Sequence, residues 1–236
     1  MPIRAVLWDI DDTLFDYAGA DRAGLRDHLA AEGLAALFPS VDDALRHWKA
    51  QTELHWARFI AQETDFQGQR RARVRGFLGV DMDDSEADAW FDRYVAHFEA
   101  CWALFPDSLA TLHELATEFR QAVLSNSRLD YQERKLRILG VRDHFETVLC
   151  AAELGVSKPQ AAAFHAACDA LELPPGEVLY VGNEPDIDAG GAMAAGLAAV
   201  WLDRDGVGGR SELVRITDLG QLSRLLTPGR SSWSAG

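Results

Sequence analysis

Cysteine is scarce in this chain of 236 residues: only Cys101, Cys150 and Cys168 are present, far apart in the sequence. None forms a C-x-x-C pair, and their odd number argues against a disulfide framework. Reduced thiols in a cytoplasmic protein are the expectation. No run of about 18 apolar residues is available to span a bilayer. No signal-peptide pattern is visible either, because Met1-Pro2-Ile3-Arg4 leads straight into the first apolar run. Positive charge is also short, with 23 Lys and Arg against 37 Asp and Glu and a formal net charge of −14. That balance excludes wholesale binding of nucleic acid, whose phosphates it would repel. A small phosphorylated molecule would meet the same repulsion, so its site must be locally positive or carry a metal. There is no internal repeat. Gly206-Val207-Gly208-Gly209 neither follows a strand nor opens a helix, so it is not a phosphate-cradling loop.

What is present is concentrated in Ala5–Tyr17, AVLWDIDDTLFDY. The apolar run Ala5-Val6-Leu7-Trp8 reads as a buried strand of a parallel sheet. Acids follow at once: Asp9, Asp11, Asp12 and then Asp16. In open α/β sheets, ligands bind beyond the carboxyl ends of strands, which is where Asp9 would sit. Side chains two apart along an extended segment point the same way, so Asp9 and Asp11 are expected to face one space. Two adjacent carboxylates repel, and a shared hard cation such as Mg²⁺ relieves that.

From Phe15 to about Phe105 apolar residues recur at helical spacing. Leu25 and Leu29 precede Gly33. Leu45, Trp48, Thr52, Trp56, Phe59 and Ile60 mark a second face. Val74, Phe77 and Leu78 precede Gly79, and Trp90, Phe91, Tyr94, Phe98 and Trp102 mark a fourth. A helical domain over 16–104 is expected. After it strand and helix alternate. Helices are expected from Pro106-Asp107 with a Leu109/Leu112/Leu115 face, over Leu129–Leu139, over Gln160–Leu171 with Pro159 in the first turn, over Ile187–Ala195, and over Asp218–Leu226. Strands are expected at Ala122–Leu124, Thr147–Ala151, Val178–Val181 and Ala198–Leu202. The alternation implies an α/β fold, a doubly wound parallel sheet built from 1–15 and 105–230, into which the helical domain is inserted. The tail 231–236 is expected to be disordered.

Three further strand ends carry chemistry. Ser125-Asn126 follows Val123-Leu124 and could hold phosphate oxygens, or form a plain turn. Lys158 is a compact charge suited to a phosphoryl group, or an ordinary loop lysine. Gly182-Asn183-Glu184-Pro185-Asp186-Ile187-Asp188 puts three acids after a strand, as metal ligands or as acids favoured at a helix start.

In order and spacing these four pieces resemble the motifs of the haloacid dehalogenase (HAD) superfamily. Asp9/Asp11 correspond to its first motif, Ser125 to its second, Lys158 to its third and Gly182–Asp188 to its fourth. The resemblance spans Ile3 to about Asp205, and the helical insertion resembles the family's cap. It implies phosphoryl transfer with Asp9 as nucleophile and Asp11 as acid and base. Lys158 and Mg²⁺ would offset charge, while Asp12, Thr13, Ser125 and Asn126 would serve the phosphoryl group and its loop. Metal ligands would come from Asp9, Asp11, Asn183, Glu184 and Asp188. The family usually has Asp where this chain has Asn183, which leaves the third protein ligand among Asn183, Glu184 and Asp188, with the first two favoured.

Asp11 favours a phosphatase over a 2-haloacid dehalogenase, which resembles this pattern but usually lacks the second acid. A sugar phosphomutase, or a silent binding or regulatory member, is the alternative. The expected partner is a small phosphorylated metabolite, with no nucleic acid and no membrane, for a monomer or homodimer. Substrate choice would fall to the insertion, where His47, Trp48, His55, Trp56, Arg70, Arg71, Arg73 and Arg75 are candidates. For each of them packing or a solvated helix face is the plainer reading.

Overall fold

The computed structural model describes residues 2–226, without the side chain of Ile60. The expected tail 231–236, the end of the expected core over 227–230 and the Ile60 side chain lie outside that description. Two units divide the described chain, one from residues up to Asp16 together with Ala103 onward, the other Tyr17–Trp102.

β1 (Ala5–Trp8) opens the first unit. Tyr17–Trp102 then supplies α1 (Tyr17–Ala31), α2 (Val41–Ile60), α3 (Phe66–Leu78) and α4 (Asp84–Ala100). The chain returns through α5 (Ser108–Leu115), β2 (Arg120–Ser125), α6 (Leu129–Ile138), β3 (Thr147–Cys150), α7 (Ala151–Leu154) and α8 (Ala161–Ala170). It ends in β4 (Val178–Gly182), α9 (Gly191–Ala194), β5 (Ala198–Leu202), β6 (Arg215–Ile216) and α10 (Leu222–Leu226). The six strands form one parallel sheet in the order β3-β2-β1-β4-β5-β6. Strand order reverses between β1 and β4, the switch point at which such sheets bind ligands.

β1 is an unbroken apolar run because both of its faces are covered. Ala5 and Leu7 join a core with Ala163, Phe164 and Ala167 of α8. On the other face, the Trp8 indole donates to Gln121 Oε1 at 3.0 Å, and the Gln121 amide donates to the Leu112 carbonyl of α5 at 3.0 Å. Pairing of Trp8 with both Val123 and Val181 sets the ends of β1, β2 and β4 level.

Several local expectations need correction. β6 has only two residues, too short for an apolar pattern to register. The buried face of α5 is Ser108, Thr111, Leu112 and Leu115, and Leu109 is exposed. Its start at Ser108 rotates the face, and the Ser108 hydroxyl donates to the Leu14 carbonyl. Pro159 precedes α8 by two residues, after a cis Lys158–Pro159 peptide. The segment expected as one helix over Ile187–Ala195 is a wide turn of helix over Pro185–Gly190 followed by α9.

Within Tyr17–Trp102, Asp65 and Asp83 cap α3 and α4, the latter in a reciprocal capping box with Glu86. The buried side of α2 runs through Ala44, Trp48 and His55, while Trp56 is exposed, one position off the expected face. Trp48, Phe77, Trp90, Phe91 and Tyr94 pack as an aromatic cluster. No helix among the described residues is long and apolar enough to cross a membrane.

Candidate active site

The loop leaving β1 folds back on itself. The Ile10 carbonyl accepts from the N–H groups of Thr13, Leu14 and Phe15, and the Asp12 N–H donates to the Phe15 carbonyl. Asp12 closes this turn in the left-handed region at φ 60°, a conformation Asp tolerates better than most residues. The amides of Ile10 and Asp11 take no part in these bonds among the described residues. They remain as donors at the strand end.

Asp9 is nearly buried at 7% exposure, and its two oxygens are held differently. Lys158 Nζ donates to Oδ1 at 2.7 Å. The Thr13 hydroxyl lies 3.1 Å from Oδ2 and 3.3 Å from Asn183 Oδ1, and its single proton serves one of them at a time. Lys158 Nζ also donates to Asp188 Oδ1 at 2.8 Å and lies 2.7 Å from the Tyr180 hydroxyl. One cation thus lies between two buried carboxylates. Burial pushes the Asp9 carboxyl up to about 7 against the pull of Lys158, and Asp188 and Asp11 push the same way as burial. Burial works against the Lys158 ammonium, but Asp9 and Asp188 together hold it above its ordinary value.

The fourth-motif turn is built around Asp188. Its Oδ2 accepts from the Glu184 N–H at 2.9 Å, so both of its oxygens are engaged inside the protein. Gly182 is required here, because a Cβ at that position would collide with the Asp188 carboxylate. Asn183 is fixed by its backbone, whose carbonyl accepts from the Trp201 indole at 2.9 Å. Its side-chain oxygen faces Thr13 and Asp9's side of the site. The Glu184 side chain is exposed, and Asp186 pairs with Arg210.

Asn126, expected beside Ser125 as a phosphate ligand, uses its amide elsewhere. Its Nδ2 donates to the Lys158 carbonyl at 2.9 Å and its Oδ1 accepts from the Lys158 N–H at 2.8 Å. It is a strut that sets the backbone of the lysine. Ser125 is buried at the end of β2.

Two residues escaped the sequence reading. Lys135 Nζ pairs with Asp11 Oδ1, and Gln132 Nε2 donates to Asp11 Oδ2 at 2.9 Å and to Ser125 Oγ at 3.1 Å. Both lie fully buried on α6 together with Leu136. The signal was available as positions 132, 135 and 136, which share one helical face. Two polar residues on the face that carries the buried Leu136 ask for a partner. β1 itself ends at Trp8, so both acids lie on the turn that follows it, and Asp11 is close enough to act on the Asp9 carboxyl. The two acids are held by different lysines.

Among the described residues no three His, Cys, Asp or Glu converge as a metal cluster. Asp9 Oδ2 and the Asn183 side-chain Oδ1 both lie against the Thr13 hydroxyl, and the resemblance would add the backbone carbonyl of Asp11. An all-oxygen set with one carboxylate fits Mg²⁺, which keeps several of its waters.

Three arginine candidates of the second unit have acid partners within it. Arg71 pairs with Asp84 and Asp88, Arg75 with Asp84, and Arg70 with Asp92. His47 meets the Gly76 carbonyl. Arg73 lies over the Trp48 ring and lines a cavity of about 110 Å³ with Tyr17, Asp21, Lys49, Thr52 and Glu53.

Known proteins resemble this chain along most of its length. Human N-acylneuraminate-9-phosphatase is 26% identical over 211 residues, covering 87% of this chain and 84% of that protein. Phosphoserine phosphatase of Thermus thermophilus is 30% identical over 229 residues, covering 86% and 89%. Among solved structures, 2-haloacid dehalogenase from Pseudomonas syringae pv. Tomato is 28% identical, with a TM-score of 0.68 and coverage of 94% and 97%. A family model described as haloacid dehalogenase-like hydrolase matches residues 3–196, and the chain belongs to that family.

Proposed function

We propose that this hydrolase is a Mg²⁺-dependent phosphatase acting on a small phosphorylated metabolite through an aspartyl phosphate. The observation that carries the reading is the pair of acids two residues apart at the end of β1, each held by its own buried lysine. A nucleophile alone would serve either dehalogenation or phosphoryl transfer. A halide leaves without a proton, whereas an alcohol leaving from phosphorus needs one. Asp11 is the group in place to supply it.

Asp9 attacks phosphorus, and Asp11, having taken the proton of the bound phosphate monoanion, gives it to the ester oxygen as that leaves. Asp11, again a carboxylate, takes a proton from the water that hydrolyses the acyl phosphate and passes it to the departing phosphate, so both acids return to their starting states. Lys158 reduces the repulsion between the Asp9 carboxylate and the anionic substrate. The Ser125 hydroxyl and the Ile10 and Asp11 amides donate to the phosphoryl oxygens. Mg²⁺, when held by Asp9, Asn183 and the Asp11 carbonyl, supplies further neutralisation of phosphoryl charge. Asn183 is the better ligand than Glu184, whose side chain is exposed, or Asp188, whose oxygens are spent on Lys158, Tyr180 and Glu184. The phosphatase names of two relatives support the reaction class.

The test pairs two assays. Phosphate release from p-nitrophenyl phosphate and from a panel of phosphorylated metabolites should require Mg²⁺. Chloride release from 2-chloropropionate should not exceed background. Dehalogenation without phosphate release would replace this reading with that of the Pseudomonas neighbour.

A further inference from the structure

Helix α6 carries none of the four motifs, yet it holds one of the two strand-end acids by both oxygens. Lys135 takes Asp11 Oδ1 and Gln132 takes Oδ2. Gln132 uses its second N–H on Ser125 Oγ. The orientation of this amide is forced, because turning it over would set its carbonyl oxygen against the Asp11 carboxylate. The lone pair of Ser125 that receives Gln132 is thereby occupied, and its own proton is left to point elsewhere. Lys135 is fully buried, and its ammonium lies 4.5 Å from the Phe15 ring centre and 5.0 Å from that of Tyr131. Burying an ammonium is costly unless an acid compensates it. A surface residue would have served if the purpose were only to neutralise Asp11, whose side chain is about a third exposed.

We propose that Gln132 and Lys135 are positioning residues. They fix the direction of the Asp11 carboxyl for proton transfer to the leaving oxygen, and Gln132 aims the Ser125 proton at a phosphoryl oxygen. The inference rests on the phosphatase reading of the preceding section. It extends that reading to a helix outside the motifs, and it couples the acid to the phosphate cradle through one amide. A misplaced acid costs most where the leaving group most needs a proton. Misaiming of an ångström is worth up to about 100-fold in rate.

The test uses a series of substituted phenyl phosphates from p-nitrophenyl to unsubstituted phenyl, at saturating Mg²⁺. Lys135→Met preserves the length and volume of the buried side chain. It should lower kcat for phenyl phosphate by about 30-fold and for p-nitrophenyl phosphate by no more than about threefold, with KM unchanged. Gln132→Met should give the same dependence on the leaving group and also raise KM, because Ser125 is released. The double variant Asp11→Asn/Lys135→Met should be no slower than Asp11→Asn, since the lysine acts only through that acid. Retained p-nitrophenyl phosphate turnover reports that each variant is folded. Equal losses across the series in both single variants, or multiplying losses in the double variant, would overturn the inference. If Asp11→Asn discriminates between leaving groups and the α6 variants do not, the inference alone fails. If Asp11→Asn itself does not discriminate, the acid role of Asp11 falls and takes this inference with it.

Discussion

Each unit buries an aspartate, and each treats it differently. Asp9 lies at a strand end beside a lysine, with a second acid on the far side of that lysine. Asp21 lies on α1 and takes its hydrogen bond from the neutral Tyr94 hydroxyl, within an aromatic surround. Burial raises both carboxyls. Asp9 is in direct contact with a buried lysine that it shares with a second acid, whereas Asp21 meets an uncharged hydroxyl, with Lys49 and Arg73 only lining the same cavity. Burial of an acid is therefore not itself a sign of chemistry. The sign is a cation shared with other acids at the end of several strands.

The sharpest way to break this comparison is to remove one oxygen's charge from each. Asp9→Asn should reduce p-nitrophenyl phosphate turnover by more than about 1,000-fold, since an amide forms no acyl phosphate. Circular dichroism should show the fold kept, with the remaining Lys158–Asp188 pair electrically balanced. Asp21→Asn should leave turnover of the same substrate within about threefold, because the Tyr94 hydroxyl can still donate to the amide oxygen. A comparable loss in both variants would erase the distinction.

Next in size is Asp11→Asn. Turnover of phenyl phosphate should fall by about 100-fold, and that of p-nitrophenyl phosphate by about tenfold or less. Equal losses would assign Asp11 a purely structural place. Smaller again is the metal requirement. Asn183→Ala should raise the Mg²⁺ concentration for half-maximal activity by about tenfold, and Glu184→Gln by less than about twofold. The reverse order would make the exposed Glu184 the ligand.

The mildest test falls in the helical unit, on His28. It is fully buried against Trp90, neither ring nitrogen has a partner among the described residues, and burial lowers its pKa to about 4. The unfolded chain takes up a proton near 6.5 while the folded chain resists until about 4, so stability falls as pH drops through that window. About 2 kcal/mol should be lost between pH 7 and pH 5. His28→Leu should remove that dependence in denaturant titrations at the two pH values. An unchanged slope would place the acid sensitivity elsewhere.

The strand β1 was legible because doubly covered strands write themselves as apolar runs, and the sheet's other long strands were found the same way. Asp9, Asp11 and Lys158 stood out in the sequence because order and spacing together constrain them, and the structure sets Lys158 on Asp9. Asn126 was misread because a polar side chain at a strand end can face either the ligand or the next loop, and only geometry decides. Gln132 and Lys135 stayed hidden because their partner lies more than a hundred residues away in sequence. Lysine itself was an overlooked clue. The chain has three lysines, Lys49, Lys135 and Lys158, among 23 basic residues. Two of the three are buried on the acids of the first motif.

The register of β1 also fixes a timetable. Ala5 pairs with Arg120 on one side and Val178 on the other. β1 is made before both of its partners and must therefore wait for them, the later on the order of ten seconds or more behind it at ordinary synthesis rates. Tyr17–Trp102 is contiguous, and its helices can settle during that interval. The segment AVLWD remains unpaired longest, so Asp9 enters its charged surround among the last events of folding. A nascent chain stalled before Val178 would carry an exposed apolar strand, which a chaperone or a neighbouring nascent chain could capture.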